Sequence, residues 1–238
     1  MTFDVNGKNI VAGGFGSNFC DNVASSFEFG SVVTGTVAAD GSFTLTGSAN
    51  EPFPAVTIKG TVPQASGESW PGSYAVSLTS PHAPQCDANV SGTFTATSFP
   101  LVNGVYVGTG SNETLSNGVL VSTPVTFQVT LQQGGKLTNP VNGVTSPVYS
   151  NSVLTGSVRV QGSPCFTSGV TGSTPVSGVE GNKVDARFTM NDGSTLTILG
   201  SLTDATETRI ITNIAIVAGG QCGTFPPIYQ LPELDRQS

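Results

Sequence analysis

The chain has 238 residues, including 30 glycines and 15 prolines, with only 10% charged residues and a formal net charge of −7. This length can form one large β domain or two small ones. Eight scattered Lys and Arg residues cannot form the basic surface that a nucleic acid or an anionic membrane requires, so no nucleic-acid partner is expected. No apolar run approaches the length of a transmembrane segment.

Short segments in which apolar and small polar residues alternate predict antiparallel, half-buried strands. In chain order they are Ser42–Thr46, Val56–Val62, Ser73–Leu78, Val105–Val107, Val125–Leu131 and Ser194–Leu199. Turn residues separate them at Ala39–Gly41, Asn103–Gly104, Asn117–Gly118, Gln133–Gly135 and Asn191–Gly193. No segment predicts a helix. The fold class is therefore all-β and antiparallel, either a sandwich or an up-and-down barrel.

Four cysteines fall into two similar sequence frames. Cys20 and Cys165 each lie beside a phenylalanine, whereas Cys86 and Cys222 each follow a glutamine and precede a Gly-Thr-Phe segment. An even cysteine count in repeated contexts indicates disulfides, and the repeat favours Cys20–Cys86 with Cys165–Cys222 among the three pairings. Each bridge would close a loop of roughly 60 residues, worth about 4 kcal/mol in the chain-entropy model. Disulfides predict an oxidising compartment.

The cysteine frames suggest that the protein is built from two related halves. Val33–Thr36 corresponds to Val170–Ser173, and Val56–Gly60 corresponds to Leu196–Gly200. We predict a first repeat over residues 1–100 and a second, with a longer leading block, over residues 101–238. The seam is expected near Thr97–Pro100, within one continuous sheet system.

The first repeat lacks the leading strands of the second. An open strand edge recruits another chain, so the strand that begins near Val5 is expected to pair with the Val102–Leu131 block or with a neighbouring molecule.

The segments Gly35-Thr36-Val37, Phe43-Thr44-Leu45-Thr46-Gly47 and Cys86…Gly92-Thr93-Phe94 resemble a loose class of exported bacterial β proteins and lipoproteins. The resemblance covers about half of the chain and implies export and β structure. It implies no activity. The first residues show neither a lipid-bearing cysteine nor the basic start and apolar run of a signal peptide, so an exported form would have lost its targeting segment.

Residues with possible chemistry have simpler interpretations. His82 is the single histidine, lies between prolines and lacks a nucleophile motif, so a solvated loop position is favoured. Asp185 with Glu180 or Asp192 could form the carboxylate pair of a glycosidase. Asp192 is explained by its Asn-Asp-Gly turn, and Asp185 by charge pairing along a strand. No catalytic residue, metal site or cofactor is expected, since metal-ligand spacings are absent.

Trp70 is the single tryptophan and the one candidate for ligand binding. It lies in a turn-like Ser-Trp-Pro-Gly segment, where it could stack on a sugar or cap one end of a barrel. The capping role is favoured.

These patterns predict a non-enzymatic protein that is extracellular, periplasmic or on the cell surface, as a structural subunit or a binding module. Its expected partners are glycans or like subunits. The alternatives are a polysaccharide-active enzyme that uses carboxylates and an assembly subunit that exchanges strands. A structure that shows whether a cleft gathers Trp70 with two carboxylates would separate these alternatives best.

Overall fold

Alternation of apolar and polar residues produces strands throughout the described chain, and no helix occurs within it. The computed structural model describes residues 2–6, 9–20, 23–47, 55–62, 67–78, 88–117, 119–138, 145–164, 166–171, 177–202, 209–219 and 228–237. All strand pairings among these residues are antiparallel, which confirms the all-β antiparallel prediction. The chain divides into two units, Met1–Ser98 and Phe99–Ser238, at the segment named above as the seam.

The first unit is a seven-stranded sheet in which strands follow one another in chain order. Its strands are β1 (Thr2–Asn6), β2 (Asn9–Cys20), β3 (Val23–Thr36), β4 (Ser42–Gly47), β5 (Ala55–Thr61), β6 (Ser69–Leu78) and β7 (Ala88–Thr97). Six antiparallel steps separate β1 from β7, so these two outer strands run in the same direction. Among the described residues, β1 pairs only with β2 and β7 only with β6.

Strand register in the first unit follows the hydrophobic alternation. Leu45 of β4 lies opposite Ile58 of β5, and both side chains are buried. Thr44 and Thr46, on either side of Leu45 in β4, face solvent. A slip of one residue would turn these apolar side chains outward, so burial fixes the pairing.

The described residues of the second unit form ten strands. They are β8 (Gly104–Ser116), β9 (Val119–Thr138), β10 (Thr145–Gln161), β11 (Ser168–Val170), β12 (Gly178–Glu180), β13 (Lys183–Met190), β14 (Thr195–Leu202), β15 (Arg209–Ala218), β16 (Ile228–Gln230) and β17 (Glu233–Arg236). The short strands β11 and β12 both pair with β10 and β13, and β16 and β17 both pair with β15 and β8.

Each pair of short strands therefore shares one position, and the second sheet closes on itself. The sequence of positions runs β8, β9, β10, β11 with β12, β13, β14, β15, and β16 with β17, and then returns to β8. Eight antiparallel positions joined in chain order are the pairing pattern of an up-and-down barrel. The interior contains large buried side chains, among them Tyr106, Phe127, Phe166 and Phe188.

The strand pairings contradict two expectations from the sequence and one of the two alternatives for the first strand. The described strands pair in two separate sheets, so the expected continuous sheet system is not found among them. Among the described residues, the Val102–Leu131 block pairs within the second sheet and β1 pairs with β2, so the first strand does not pair with that block. The alternative, pairing with a neighbouring molecule, stays a prediction.

Gln133–Gly135 is not a turn either. These residues lie inside β9, where the register shifts against β10 and Gly134 has a φ of +98°. The Gln133 side chain accepts a hydrogen bond from the Val102 amide at 2.9 Å and donates one to the Asn151 carbonyl at 2.8 Å. Two glycines give the backbone the freedom that a bulge needs, and the glutamine holds it in place.

In the described ranges, no helix is long and apolar enough to cross a membrane.

Candidate functional site

A shallow depression of about 530 Å³ lies beside Trp70 at one end of the first unit. It is lined by Asp40, Thr61, Val62, Glu68, Ser69, Trp70 and Pro71. The turn before β4, the end of β5 and the start of β6 contribute these residues. The depression thus brings Trp70 together with two carboxylate side chains, which is the arrangement that the sequence analysis named as the one to look for. Neither Asp40 nor Glu68 was among the candidate carboxylates in the sequence.

A tight turn places Asp40 at the rim of this depression. The Asp40 Oδ1 atom accepts hydrogen bonds from the Ser42 hydroxyl at 2.7 Å and from the Ser42 amide at 3.0 Å. Gly41 has a φ of +83°, which glycine adopts at no steric cost. The bonds from the Ser42 hydroxyl and then its amide lower the pKa of Asp40. Asp40 is therefore suited to remain a carboxylate. The acid of a glycosidase must instead donate a proton.

Trp70 lies in strand β6, not in a turn, and is only 6% exposed. Its ring centroid is 4.9 Å from that of Phe3, 5.5 Å from that of Phe43 and 5.7 Å from that of Phe94. These four rings form the aromatic cluster, in which the rings around Trp70 meet it edge to face, a favourable arrangement. Trp70 belongs to the core of the first unit, and its burial leaves little ring surface for a sugar.

Glycines make room for the aromatic cluster. A Cβ atom at Gly60 would lie 2.8 Å from Phe43 Cζ and 2.9 Å from Trp70 Cζ3. A Cβ atom at Gly72 would clash with the Phe94 ring, which lies opposite it across the β6–β7 pair. The Pro-Gly sequence that suggested a turn around Trp70 is thus part of a strand, where its glycine admits a neighbouring ring.

The carboxylates singled out in the second unit have structural partners. Asp185 binds the Arg187 guanidinium through both oxygens, with a shortest distance of 2.6 Å. This hydrogen bonding raises the pKa of Arg187. Glu180 lies opposite Lys183 and Asp185 lies opposite Gly178 in the β12–β13 pair, so all these residues share one face of the strands. Such charge pairing was the simpler interpretation of Asp185 in the sequence.

Asp192 repeats the turn chemistry of Asp40. Its Oδ1 atom accepts hydrogen bonds from the Ser194 hydroxyl at 2.6 Å and from the Ser194 amide at 2.9 Å. Gly193, like Gly41, has a positive φ, here +82°. The turn accounts for Asp192, as the Asn-Asp-Gly sequence indicated.

Several predicted residues lie outside the described part of the chain. They are His82, Cys86, Cys165 and Cys222, and for Cys20 only the backbone, at the end of β2, is described. The disulfides Cys20–Cys86 and Cys165–Cys222 therefore stay predictions. Over the described ranges, no group of three or more His, Cys, Asp or Glu residues is placed to hold a metal ion.

The outer strand β7 is a second candidate feature, and the sequence analysis did not identify it. Its ten residues contain no charge and no proline. Ser91, Thr93 and Thr95 face solvent, while Phe94 and Ala96 are half-buried against the core of the first unit. The lack of charge over ten alternating residues was a signal in the sequence, but only the pairing of the strands reveals that β7 is an edge.

Comparisons of the chain with protein-family models, with curated proteins and with solved structures gave no match.

Proposed function

We propose that this protein is a non-enzymatic structural subunit, located on the cell surface or elsewhere outside the cytoplasm, which joins its neighbours through a strand edge of the first unit. The observation that carries the proposal is the edge strand β7, which is long, uncharged and paired on one side only among the described residues. Soluble proteins usually protect such an edge with charges, proline or a bulge, because an open edge recruits another strand. An edge without these devices is suited to assembly.

The roles of the acidic side chains support a function without catalysis. Asp185 is held by Arg187, and Asp40 and Asp192 each cap a turn. A glycosidase needs one carboxyl group with a raised pKa and a second carboxylate across the sugar. The lowered pKa of Asp40 is the opposite of what the proton donor requires.

The extracytoplasmic location rests on composition. Only 10% of residues are charged, and the four cysteines occur in repeated contexts. Disulfides are stable in oxidising compartments and rare in the cytosol. Peptide mapping without reduction tests this part, because the proposal requires Cys20–Cys86 and Cys165–Cys222 bridges in protein purified from its native source.

Two measurements test the function itself. Sedimentation velocity should show species larger than one chain, with a fraction that rises with protein concentration. Incubation with a panel of soluble and insoluble polysaccharides should release no sugar. Sugar release that the Asp40→Asn or Asp185→Asn variant abolishes would overturn the proposal in favour of the enzyme.

Glycan binding at the depression beside Trp70 is a second candidate function. The observation that favours it is the presence of Asp40 and Glu68 next to the only tryptophan. Carboxylates accept hydrogen bonds from sugar hydroxyls, and Trp70, although only 6% exposed, lines the same depression.

The single tryptophan makes this candidate simple to test. A glycan that enters the depression should change the fluorescence of Trp70, and the Glu68→Gln variant should weaken that change at least about tenfold. Glu180→Gln, which changes an exposed glutamate in the second unit, is the matched control. Fluorescence that no glycan in the panel alters would remove this candidate.

A further inference from the structure

The edge of β7 has two properties that bear on its partner. Within the described part of the first unit, β7 pairs only with β6, so the backbone groups on its other side have no strand to bind. Its solvent face carries Asn89, Ser91, Thr93 and Thr95, all small or neutral. By contrast, the other outer strand, β1, contains Asp4 in a stretch of five residues.

The inward face of β7 is incompletely covered. Phe94 and Ala96 pack against the core of the first unit but remain half-buried. Phe94 stacks on Phe3 of β1 with ring centroids 5.4 Å apart, and that ring is half-buried as well. A strand added beside β7 would cover more of this apolar surface and would satisfy backbone donors and acceptors.

The net charge of the chain favours the uncharged strand β7 as the place where two copies can meet. Each chain carries a net charge of −7, so two copies repel each other except where their surfaces are neutral. β7 is such a place, since like charges on opposed strands destabilise a pair and β7 has none. Pairing of two β1 strands would bring two copies of Asp4 together. Identical strands can pair in antiparallel fashion about a two-fold axis, which gives a closed, self-complementary contact.

We propose that two copies of this chain associate through β7, antiparallel and about a two-fold axis, so that their seven-stranded sheets become one continuous sheet. This inference rests on the proposed structural function and names its first partner as a second copy. The inward faces of both β7 strands then lie on the same side of the joined sheet, and the threonine faces lie on the other.

The test introduces charges on the solvent face of β7. Thr93→Lys/Thr95→Lys places lysines of the two copies close together across the axis, while both positions stay exposed in the single chain. Thr34→Lys/Thr36→Lys is the matched control, because it adds the same charges at exposed positions of β3, a strand paired on both sides. Sedimentation velocity over a wide concentration range should show dimers for the wild type and the control. The β7 variant should need at least about tenfold more protein to form them.

Charge complementation makes the test specific. Thr93→Glu/Thr95→Glu should also dissociate the dimer, and mixing it with the lysine variant should restore a species of two chains that contains one of each. Far-ultraviolet circular dichroism of both variants should match the wild type. If either variant fails to fold, hydrogen exchange of wild-type β7 amides decides instead, because exchange must slow with rising protein concentration.

Two outcomes would overturn the inference. A wild type that sediments as one chain at every concentration would exclude a second copy and would leave the edge to a strand of another protein. A dimer that the β7 charges leave unchanged would place the contact elsewhere. The second outcome removes β7 as the contact but leaves the proposed structural function standing, with β1 as the other outer strand of the first unit. A single chain at every concentration, or sugar release that a carboxylate variant abolishes, would overturn the proposed function as well, so the two failures are distinguishable.

Discussion

The two units solve the same problem of sheet edges in different ways. In the second unit, eight antiparallel positions return to the first, so the sheet has no free side in its chain-order path. In the described part of the first unit, seven strands leave β1 and β7 running in the same direction, and an all-antiparallel ring requires an even number. The odd number of described positions therefore separates this open sheet from the closed one. An odd strand count in a simple meander is itself a reason to look for a partner.

The cores of the two units differ in the same sense. Among the described residues, the core of the second unit comprises 21 buried apolar side chains with one half-buried neighbour, Phe99. The core of the first unit comprises nine buried side chains with seven half-buried neighbours. Four of those seven, Phe3, Val5, Phe94 and Ala96, lie on the outer strands β1 and β7. Incomplete burial is thus concentrated where the sheet is open.

Truncation of one phenylalanine in each unit gives the largest expected effect and tests this difference in burial. Phe127 is fully buried inside the closed sheet of the second unit, whereas Phe94 is half-buried at the edge of the first unit. We expect Phe127→Ala to cost about 3–5 kcal/mol and Phe94→Ala about half of that, because less surface is lost and the edge can relax. Hydrogen exchange resolved by peptide reports each unit separately. Equal losses of protection from hydrogen exchange would show that the edge of the first unit is as well covered as the interior of the closed sheet.

Glycine substitutions sharpen the comparison at the next level of effect. A Cβ atom at Gly156 in β10 would meet the Thr130 carbonyl oxygen of the neighbouring strand, which cannot move without breaking the ring. At Gly60 the three nearest atoms to it would belong to the side chains of Phe43 and Trp70. Gly156→Ala should therefore cost about 2–3 kcal/mol, and Gly60→Ala about 1 kcal/mol as the rings shift.

Urea denaturation measures both glycine variants. Gly178→Ala is the control for the ring, since its Cβ atom would lie 3.2 Å from the nearest atom, the Ser152 carbonyl oxygen. A Gly60→Ala variant less stable than Gly156→Ala would mean that the aromatic cluster is more rigid than the closed sheet.

The sequence predicted the strands better than their arrangement. Alternation identified segments such as Ser42–Thr46 and Val125–Leu131, because burial of one face imposes a period of two. It failed where glycine serves packing instead of turning, as at Gly72 beside Trp70 and at Gly134 in the bulge. Pairing between strands depends on contacts distant in sequence, so neither the closed ring nor the edge at β7 could be deduced.

Only part of the candidate site was predicted from the sequence, and the rest was missed because it depends on contacts distant in sequence. The single tryptophan drew notice to Trp70, but the approach of Asp40 and Glu68 depends on how β4, β5 and β6 align. The Asp-Gly-Ser turns, by contrast, are local, and their hydrogen bonds follow from three consecutive residues.

The two Asp-Gly-Ser turns offer a smaller test of the same contrast between a covered and an open environment. Ser194 is fully buried, so removal of the Asp192 carboxylate leaves its amide and hydroxyl without that acceptor away from water. Asp192→Ala should cost about 1–3 kcal/mol, the usual penalty for an unsatisfied buried group. Thermal unfolding at neutral pH measures it. A loss no larger than that of Asp40→Ala would show that water reaches Ser194.

Asp40→Ala should have the smallest effect, and its effect should depend on pH. Ser42 is half-buried, so water can replace the lost acceptor.

The Ser42 hydroxyl and amide lower the pKa of Asp40 below its ordinary value of 3.8, so the folded state favours the carboxylate. A carboxyl group with a lowered folded pKa stabilises the protein above its unfolded pKa, and this stabilisation disappears as the pH falls through the folded pKa. The difference in stability between wild type and Asp40→Ala should therefore be constant near neutral pH, shrink below pH 3.8 and vanish in stronger acid. Urea denaturation across this range measures it, with Thr44→Ala on the exposed face of β4 as a control whose effect should not change with pH. A difference that grows in acid would mean that the protonated form of Asp40 is the one the turn prefers.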